Sequence, residues 1–222
     1  MGGVTDPVTV YLEVGSKRLF AGGVEWPGWC RSSRSEADAL DALLRYGPRY
    51  AEVAALAGIR FAPPPIASAF SVTERLQGNA TTDFGAPGVP PAVDERPLSA
   101  AELERLTALL RAAWQTLDTI AEQAAGLTLR TGPRGGGRDL DKMVAHVREA
   151  EAMYLTKLGS RTPAGVAAAR EAVVAALAAR VANRPIPNPS GSARLWTPRY
   201  YVRRAAWHVL DHAWEIEDRA LG

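Results

Sequence analysis

Cysteine is almost absent from this chain of 222 residues, in which Cys30 is the single example. One cysteine excludes a disulfide within the chain and any zinc cluster built on several thiolates. The sequence has no run of about 18 consecutive apolar residues, so it predicts no membrane-spanning helix. The N-terminus also lacks a basic segment followed by an apolar one. We therefore expect a cytoplasmic protein without a signal peptide.

An excess of charge of one sign is also missing. The 26 basic and 24 acidic residues leave a formal net charge of +2, which is too small to indicate nucleic-acid binding. Hydrophobic residues make up 47% of the chain and charged residues 23%, which is ordinary for a globular protein with a packed core. We therefore expect a small-molecule substrate and neither nucleic acid nor membrane as a partner, and the sequence leaves a homodimer open.

The first third of the chain has the pattern of a small α+β domain. Residues 8–14 and 17–25 are rich in β-forming residues and are separated by Gly15-Ser16, which predicts a hairpin. Helical spacing follows a serine cap at Ser33 or Ser35, and a second helical piece over 49–57 is expected after the interruption at Gly47-Pro48. A third main strand is predicted over 69–75. The expected domain, residues 1–75, is a small antiparallel sheet with helix.

One stretch of this domain resembles a known family. The segment Gly23-Val-Glu-Trp-Pro-Gly-Trp-Cys-Arg-Ser-Ser-Arg-Ser-Glu-Ala-Asp-Ala-Leu-Asp-Ala-Leu43 resembles the HicB-like pattern of strand, Pro-Gly turn, short strand and capped helix. The resemblance covers residues 8–75 and implies a small sheet packed on helix, often an antitoxin module. A partner toxin is not implied, because the DNA-binding element that often follows HicB domains is replaced by other sequence.

The rest of the chain changes from a Gly/Pro-rich linker, predicted over residues 76–98, to helical periodicity. Ser99-Ala-Ala-Glu102 is a capping box at the start of the first helix. Four helices are predicted, over 99–126, 140–158, 162–181 and from 197 towards the C-terminus. Thr131–Gly137 predicts a flexible loop. Four helices with one long connection predict an all-α four-helix bundle over residues 99–222.

All three histidines of the chain fall on the predicted bundle, His146 on its second helix and His208 and His212 on its fourth. The apolar stripe of the fourth helix runs through Val202, Ala205, Val209 and Ile216. Residues four apart share a helix face, so both late imidazoles point into the core, where an unpartnered polar group costs about 1–3 kcal/mol. Three imidazoles on facing helices can bind one divalent metal and leave a position for water or substrate. Imidazole does not discriminate among Zn, Ni, Fe and Cu.

These residues also carry a second resemblance. Met143-Val-Ala-His-Val-Arg-Glu-Ala-Glu151, followed by a late His-x-x-x-His, resembles the DinB/YfiT superfamily of four-helix-bundle metalloproteins over about residues 98–220. The resemblance implies that His146, His208 and His212 are metal ligands. It also implies a metal, zinc or nickel first and iron as a further option, that activates a low-molecular-weight thiol such as mycothiol or bacillithiol. Some relatives have Glu at the first position of the late pair, where this chain has His208.

Four other polar residues are candidates near this site. Arg203 and Arg204 precede the late histidine pair by about one turn and could bind a carboxylate of the thiol cofactor. Glu149 and Glu151 could orient the second nitrogen of a ligating histidine. The glycines at 135–137 lack the strand, helix and lysine that a phosphate-binding loop requires.

Three functions agree with this pattern. The first is a metal-dependent thiol S-transferase or isomerase. The second is a non-catalytic binding or regulatory module, in which the HicB-like unit recognises a partner and the metal is structural. The third is a metal-dependent hydrolase, which would turn over without added thiol. The sequence assigns no catalytic residue beyond the three candidate ligands.

Overall fold

A computed structural model of the chain describes residues 8–131, 137–192 and 194–220. It is an α+β structure in which a four-stranded mixed sheet precedes a series of helices. The chain divides into two compact units, Met1–Glu95 and Arg96–Gly222. Most of the loop predicted over Thr131–Gly137 lies outside the described residues. Within the described ranges, no helix combines the length and the apolar character that crossing a membrane requires.

The sheet of the first unit has the strand order β3-β2-β1-β4. Its strands are β1 (Val8–Val14), β2 (Leu19–Gly23), β3 (Cys30–Ser33) and β4 (Phe70–Gln77). The first two strands form an antiparallel hairpin and β3 continues it, but β4 pairs in parallel with β1. The prediction of an antiparallel sheet is therefore wrong at the β4 edge. The chain leaves β3, passes through two helices and returns on the far side of β1, and such a crossover brings a strand back in parallel.

The crossover consists of α1 (Glu36–Arg45) and α2 (Gly47–Leu56). Ser35, the second of the two predicted caps, accepts the backbone N–H of Asp38 at the start of α1. The second helix begins at Gly47 and has Pro48 in its first turn, where a missing N–H costs no helical hydrogen bond. The aromatic core under these helices contains Trp29, whose indole N–H donates to the Leu43 carbonyl at 2.9 Å.

Residues 76–98, which the sequence predicts as a linker, contain regular structure. They include the end of β4, the short helix α3 (Ala80–Phe84) and a 3-10 turn over Ala92–Glu95. Glu13 on β1 is fully buried and binds this segment: it accepts the hydroxyl of Thr82 and the backbone N–H groups of Gly88 and Val89, at 2.9 and 3.1 Å. A buried carboxylate therefore binds this segment at three points.

The second unit contains four long helices. They are α4 (Ala100–Gln123), α5 (Leu140–Leu158), α6 (Val166–Val181) and α7 (Pro198–Ala220). Helix α4 packs against α6 and α7, and α5 packs against the same two helices. Ser99 and Glu102 form the predicted capping box of α4. Arg199, in the first turn of α7, pairs with Glu102 and donates to the carbonyls of Arg96 and Pro97, so it joins the N-terminal ends of α4 and α7.

Candidate metal centre

The three histidines converge between α5 and α7. His146 lies on α5, and His208 and His212 lie one turn apart on α7. The neighbouring valines, Val147 and Val209, are fully buried, because both helices direct their apolar stripes into the same core. The three ring centroids are separated by 5.2 Å (146 to 208), 5.0 Å (146 to 212) and 4.7 Å (208 to 212). The packing of two amphipathic helices therefore brings together rings that are 62 residues apart in sequence, from 146 to 208.

The histidine cluster fits a metal ion by its donor set. One nitrogen from each ring lies within 4.8 Å of the other two. In a tetrahedral zinc site, nitrogens at 2.0–2.1 Å from the ion lie about 3.4 Å from one another. Ring rotations of about 1 Å at the nitrogens would close this gap, and the rings are the mobile part of each side chain. The histidines fit a divalent ion held by three neutral imidazoles.

A buried nitrogen of His208 supports the same assignment. Its Nδ1 is buried and has no hydrogen-bond partner among the described residues. Such a nitrogen costs about 1–3 kcal/mol if nothing satisfies it. A metal bound at Nδ1 would supply the missing partner.

The surroundings of His146 and His208 favour the neutral form of these two rings. Burial, followed by the proximity of His212 and Arg204, lowers the pKa of His208 to about 2. Burial and the proximity of His212 also lower the pKa of His146. Metal ligation requires neutral imidazole, so protons compete weakly with a metal for these two rings near neutral pH.

Glu215 is a carboxylate in contact with the cluster that the sequence analysis did not single out. Its Oε2 lies 3.3 Å from Nδ1 of His212, without the alignment of a full hydrogen bond. The His212 interaction is the largest of the effects that lower the pKa of Glu215. Glu215 follows His212 by three residues, a spacing that places both on one helix face, so the sequence carried a signal for this contact.

The sequence predicts Glu149 or Glu151 as the residue that orients the second nitrogen of a ligating histidine, and neither contacts one among the described residues. Glu149 is exposed and acts on His146 only as a nearby charge. Glu151 is directed towards α4 and α6, where its Oε1 lies 3.9 Å from Nε of Arg170. It lines a cavity of about 200 Å³ together with Trp114. In the described part of the chain, Glu149 makes no hydrogen bond or ion pair with a candidate ligand, although its spacing of three residues places it on the same side of α5 as His146. Glu151 follows His146 by five residues and leaves α5 about 140° around the helix from it.

Of the two arginines proposed to bind a cofactor, Arg204 is the one beside the cluster. Its guanidinium lies 4.6 Å from the ring centre of Trp207 and 5.6 Å from that of Tyr154. Its Nη1 is buried without a hydrogen-bond partner among the described residues. Arg203 is also buried, but it leaves α7 about 100° around the helix from Arg204. Arg204 therefore offers a positive charge and an N–H group next to His208.

Aromatic side chains complete the surroundings of the histidines. The ring of Tyr154 lies 5.7 Å from that of His208, and Trp196 lies 5.1 Å from Tyr154 and 5.0 Å from Tyr200. Tyr154 follows His146 by eight residues, a spacing that returns to the same helix face, so the sequence carried a signal for it. Trp196 precedes α7 in a loop, where periodicity provides no signal.

Comparisons with protein-family models, with curated proteins and with solved structures found no match to this chain. The functional assignment therefore depends on the chemistry of the three-histidine cluster and the residues around it.

Proposed function

We propose that the chain is a metal-dependent enzyme of the DinB/YfiT type, fused to an N-terminal HicB-like domain. In this proposal, α4 to α7 form a four-helix bundle, and His146, His208 and His212 hold one divalent ion, zinc or nickel. The packing of each of these helices against at least two of the others supports the bundle. The order of hairpin, short strand and capped helix supports the HicB-like assignment. The observation that carries the proposal is the convergence of three ring nitrogens within 4.8 Å.

The proposed reaction is the transfer or isomerisation of a substrate through a low-molecular-weight thiol such as mycothiol or bacillithiol. A bound divalent ion would supply a Lewis acid that keeps the sulfur of such a thiol deprotonated near neutral pH. Three neutral protein ligands leave a coordination position open, which this chemistry requires.

The surrounding residues have separate tasks in this scheme. Arg204 can donate its unpartnered Nη1–H to an anionic group of the thiol or of the acceptor. The rings of Tyr154, Trp196 and Trp207 can pack against an apolar acceptor and exclude water. Burial raises the pKa of Tyr154, whose ring lies 5.7 Å from that of His208, so its hydroxyl keeps its proton near neutral pH and can donate a hydrogen bond.

Metal binding is the first test. Protein purified without a polyhistidine tag, stripped with a chelator and reloaded with zinc or nickel should contain about one ion per chain by elemental analysis. His146→Ala, His208→Ala and His212→Ala should each lose most of this metal. Asp211→Asn, a change next to a proposed ligand on the same helix, is the matched control and should retain it. Full metal content in the His208 variant would contradict the proposed site.

Turnover is the second test. The loaded protein should conjugate a thiol to an α,β-unsaturated or aryl electrophile, lose this activity on chelation and recover it when metal is restored. Arg204→Met should raise the KM for an anionic thiol more than it changes kcat, because the arginine binds the substrate and leaves the reacting sulfur alone. Metal-dependent turnover without thiol would favour a hydrolase, and metal binding without turnover would favour a binding module with a structural metal.

A further inference from the structure

Glu215 lies between a proposed ligand and a buried arginine on the same helix. Its Oε2 lies 3.3 Å from Nδ1 of His212, three residues earlier. Its other oxygen, Oε1, lies 3.2 Å from Nη1 of Arg219, four residues later. The two oxygens of one carboxylate therefore lie near two different partners, one on each side along α7, and the Arg219 contact is a hydrogen bond.

Arg219 cannot easily turn away from Glu215, because the rest of its guanidinium is already engaged. The side chain is only 5% exposed. Its Nη2 donates to the carbonyl of Arg138 at 2.8 Å, its Nε donates to the carbonyl of Arg130, and Nη1 also lies 3.3 Å from Sδ of Met143. These contacts come from α5 and from the segment before it. The position of Arg219, and through it that of Glu215, is therefore set by tertiary structure as well as by the helix.

The 3.3 Å contact between Glu215 and His212 lacks the alignment of a full hydrogen bond. An ionised carboxylate only accepts hydrogen bonds, so a small rotation of the ring completes this bond only when the nitrogen that faces the carboxylate carries the proton. A neutral imidazole with its proton on Nδ1 has its one available lone pair on Nε2.

We propose that Glu215, held in place by Arg219, is a positioning residue that keeps the proton of His212 on Nδ1 and leaves Nε2 as its metal-binding nitrogen. This inference depends on the proposed function, because it assigns a task within the proposed metal site. A carboxylate behind a ligating histidine fixes both the tautomer and the ring orientation. The role predicted for Glu149 or Glu151, which is to orient a ligating histidine, is thereby assigned to Glu215.

The proposal predicts an unusual order of two substitutions. In Glu215→Ala, the ring of His212 has no partner at Nδ1 and populates both tautomers. In Glu215→Gln, Arg219 attracts the amide oxygen, so the amide N–H₂ faces Nδ1 and donates to it. The ring proton then moves to Nε2 and removes the lone pair that the metal needs. The isosteric glutamine should therefore impair metal binding at least as much as alanine, which is not expected if Glu215 serves only as packing.

The tautomer can be measured in the metal-free protein. Nitrogen-15 chemical shifts and two-bond couplings of the histidine rings, recorded near pH 8 where imidazole is uncharged, distinguish Nδ1–H from Nε2–H. We expect Nδ1–H for His212 in the wild-type protein and a shift towards Nε2–H in Glu215→Gln. A wild-type ring protonated on Nε2 would overturn the proposal, and this measurement needs neither a metal nor a variant.

Metal affinity is the second readout, measured by competition of zinc with a chromophoric chelator. Glu215→Ala should weaken zinc binding about 10- to 100-fold, and Glu215→Gln by at least as much. The matched control is Asp218→Asn, which removes one negative charge from the same helix and should change affinity less than threefold. If Glu215→Gln binds zinc as tightly as the control, the proposal is wrong. If the wild-type protein binds no metal, the proposed function fails, whereas the tautomer result still decides whether Glu215 positions His212.

Discussion

Glu151 is a carboxyl group that the fold has moved out of solvent. Its side chain is 12% exposed and lies near Arg170 and Trp114. Burial raises its pKa to about 7, and the arginine and the indole reduce this effect without cancelling it. Both terminal nitrogens of Arg170 donate to Asp118, so they are not available to Glu151. Arg170 therefore compensates the charge of Glu151 only in part, and the pKa of this carboxyl group lies close to physiological pH.

Replacing Glu151 with glutamine should stabilise the protein at alkaline pH. The folded-state pKa lies above the unfolded one, so the stability that the neutral acid provides is fully present below about pH 4.5 and is lost as pH rises through 7. Glu151→Gln stays neutral and should raise the free energy of unfolding at pH 8.5 by up to about 3 kcal/mol, with little change at pH 4.5.

Urea denaturation of the metal-free protein at the two pH values measures this difference. The exposed neighbour Glu149, changed to glutamine, is the control on the same helix and should show no comparable pH dependence. A stabilisation of the same size at both pH values would mean that burial does not control the ionisation of Glu151.

At the scale of elements, the first strand and the segment after β4 depend on one carboxylate. Glu13 on β1 accepts from Thr82 on α3 and from the backbone N–H groups of Gly88 and Val89. The segment passes close to the hairpin turn as well, where Asp83 accepts the backbone N–H of Lys17 at 2.7 Å. Glycine and proline are frequent in this segment, so its local pattern indicates a linker. The buried acceptor that orders the segment lies about 70 residues earlier in sequence.

Glu13→Ala should therefore destabilise the first unit. The substitution leaves a buried hydroxyl and two partly buried backbone N–H groups without their acceptor, at a cost of about 2–4 kcal/mol in total. Hydrogen exchange should show faster exchange at the amides of Gly88 and Val89, and urea denaturation should show the lower stability. Glu52→Ala, at an exposed position of α2, is the control and should stay within about 0.5 kcal/mol of wild type. Unchanged amide protection in the Glu13 variant would contradict this account.

Helices α5 and α7 show how much an element can be predicted on its own. Asp139 caps α5 as expected, and the helix spans Leu140–Leu158, as the apolar spacing predicts. Helix α7 begins at Pro198 and buries the predicted stripe of Val202, Ala205, Val209 and Ile216. Helical periodicity depends on neighbours three and four residues apart, so a single sequence contains it. The direction of β4 depends on how the chain crosses the sheet, and its local pattern carries no information about that crossing.

At the scale of the whole molecule, a ligand that binds only the folded chain must stabilise it. Zinc at 100 times its dissociation constant should raise the free energy of unfolding by about 2.7 kcal/mol. Hydrogen exchange should show this gain in α5 and α7, which carry the three histidines. His212→Ala should abolish it. Equal stabilisation of the variant and the wild type by zinc would show that the ion binds elsewhere on the chain.

The sequence by itself determined the order and type of most elements, the α+β character of the chain and the placement of three histidines on two helices. These features follow from local periodicity, capping residues and turn residues, which act over a few positions. Only the tertiary structure decided that β4 runs parallel to β1, that Glu13 orders the segment after β4, and that α5 and α7 pack so that His146 faces His208 and His212. Each of these depends on groups that the fold brings together, or on the rotation of one helix against another, which local sequence does not encode.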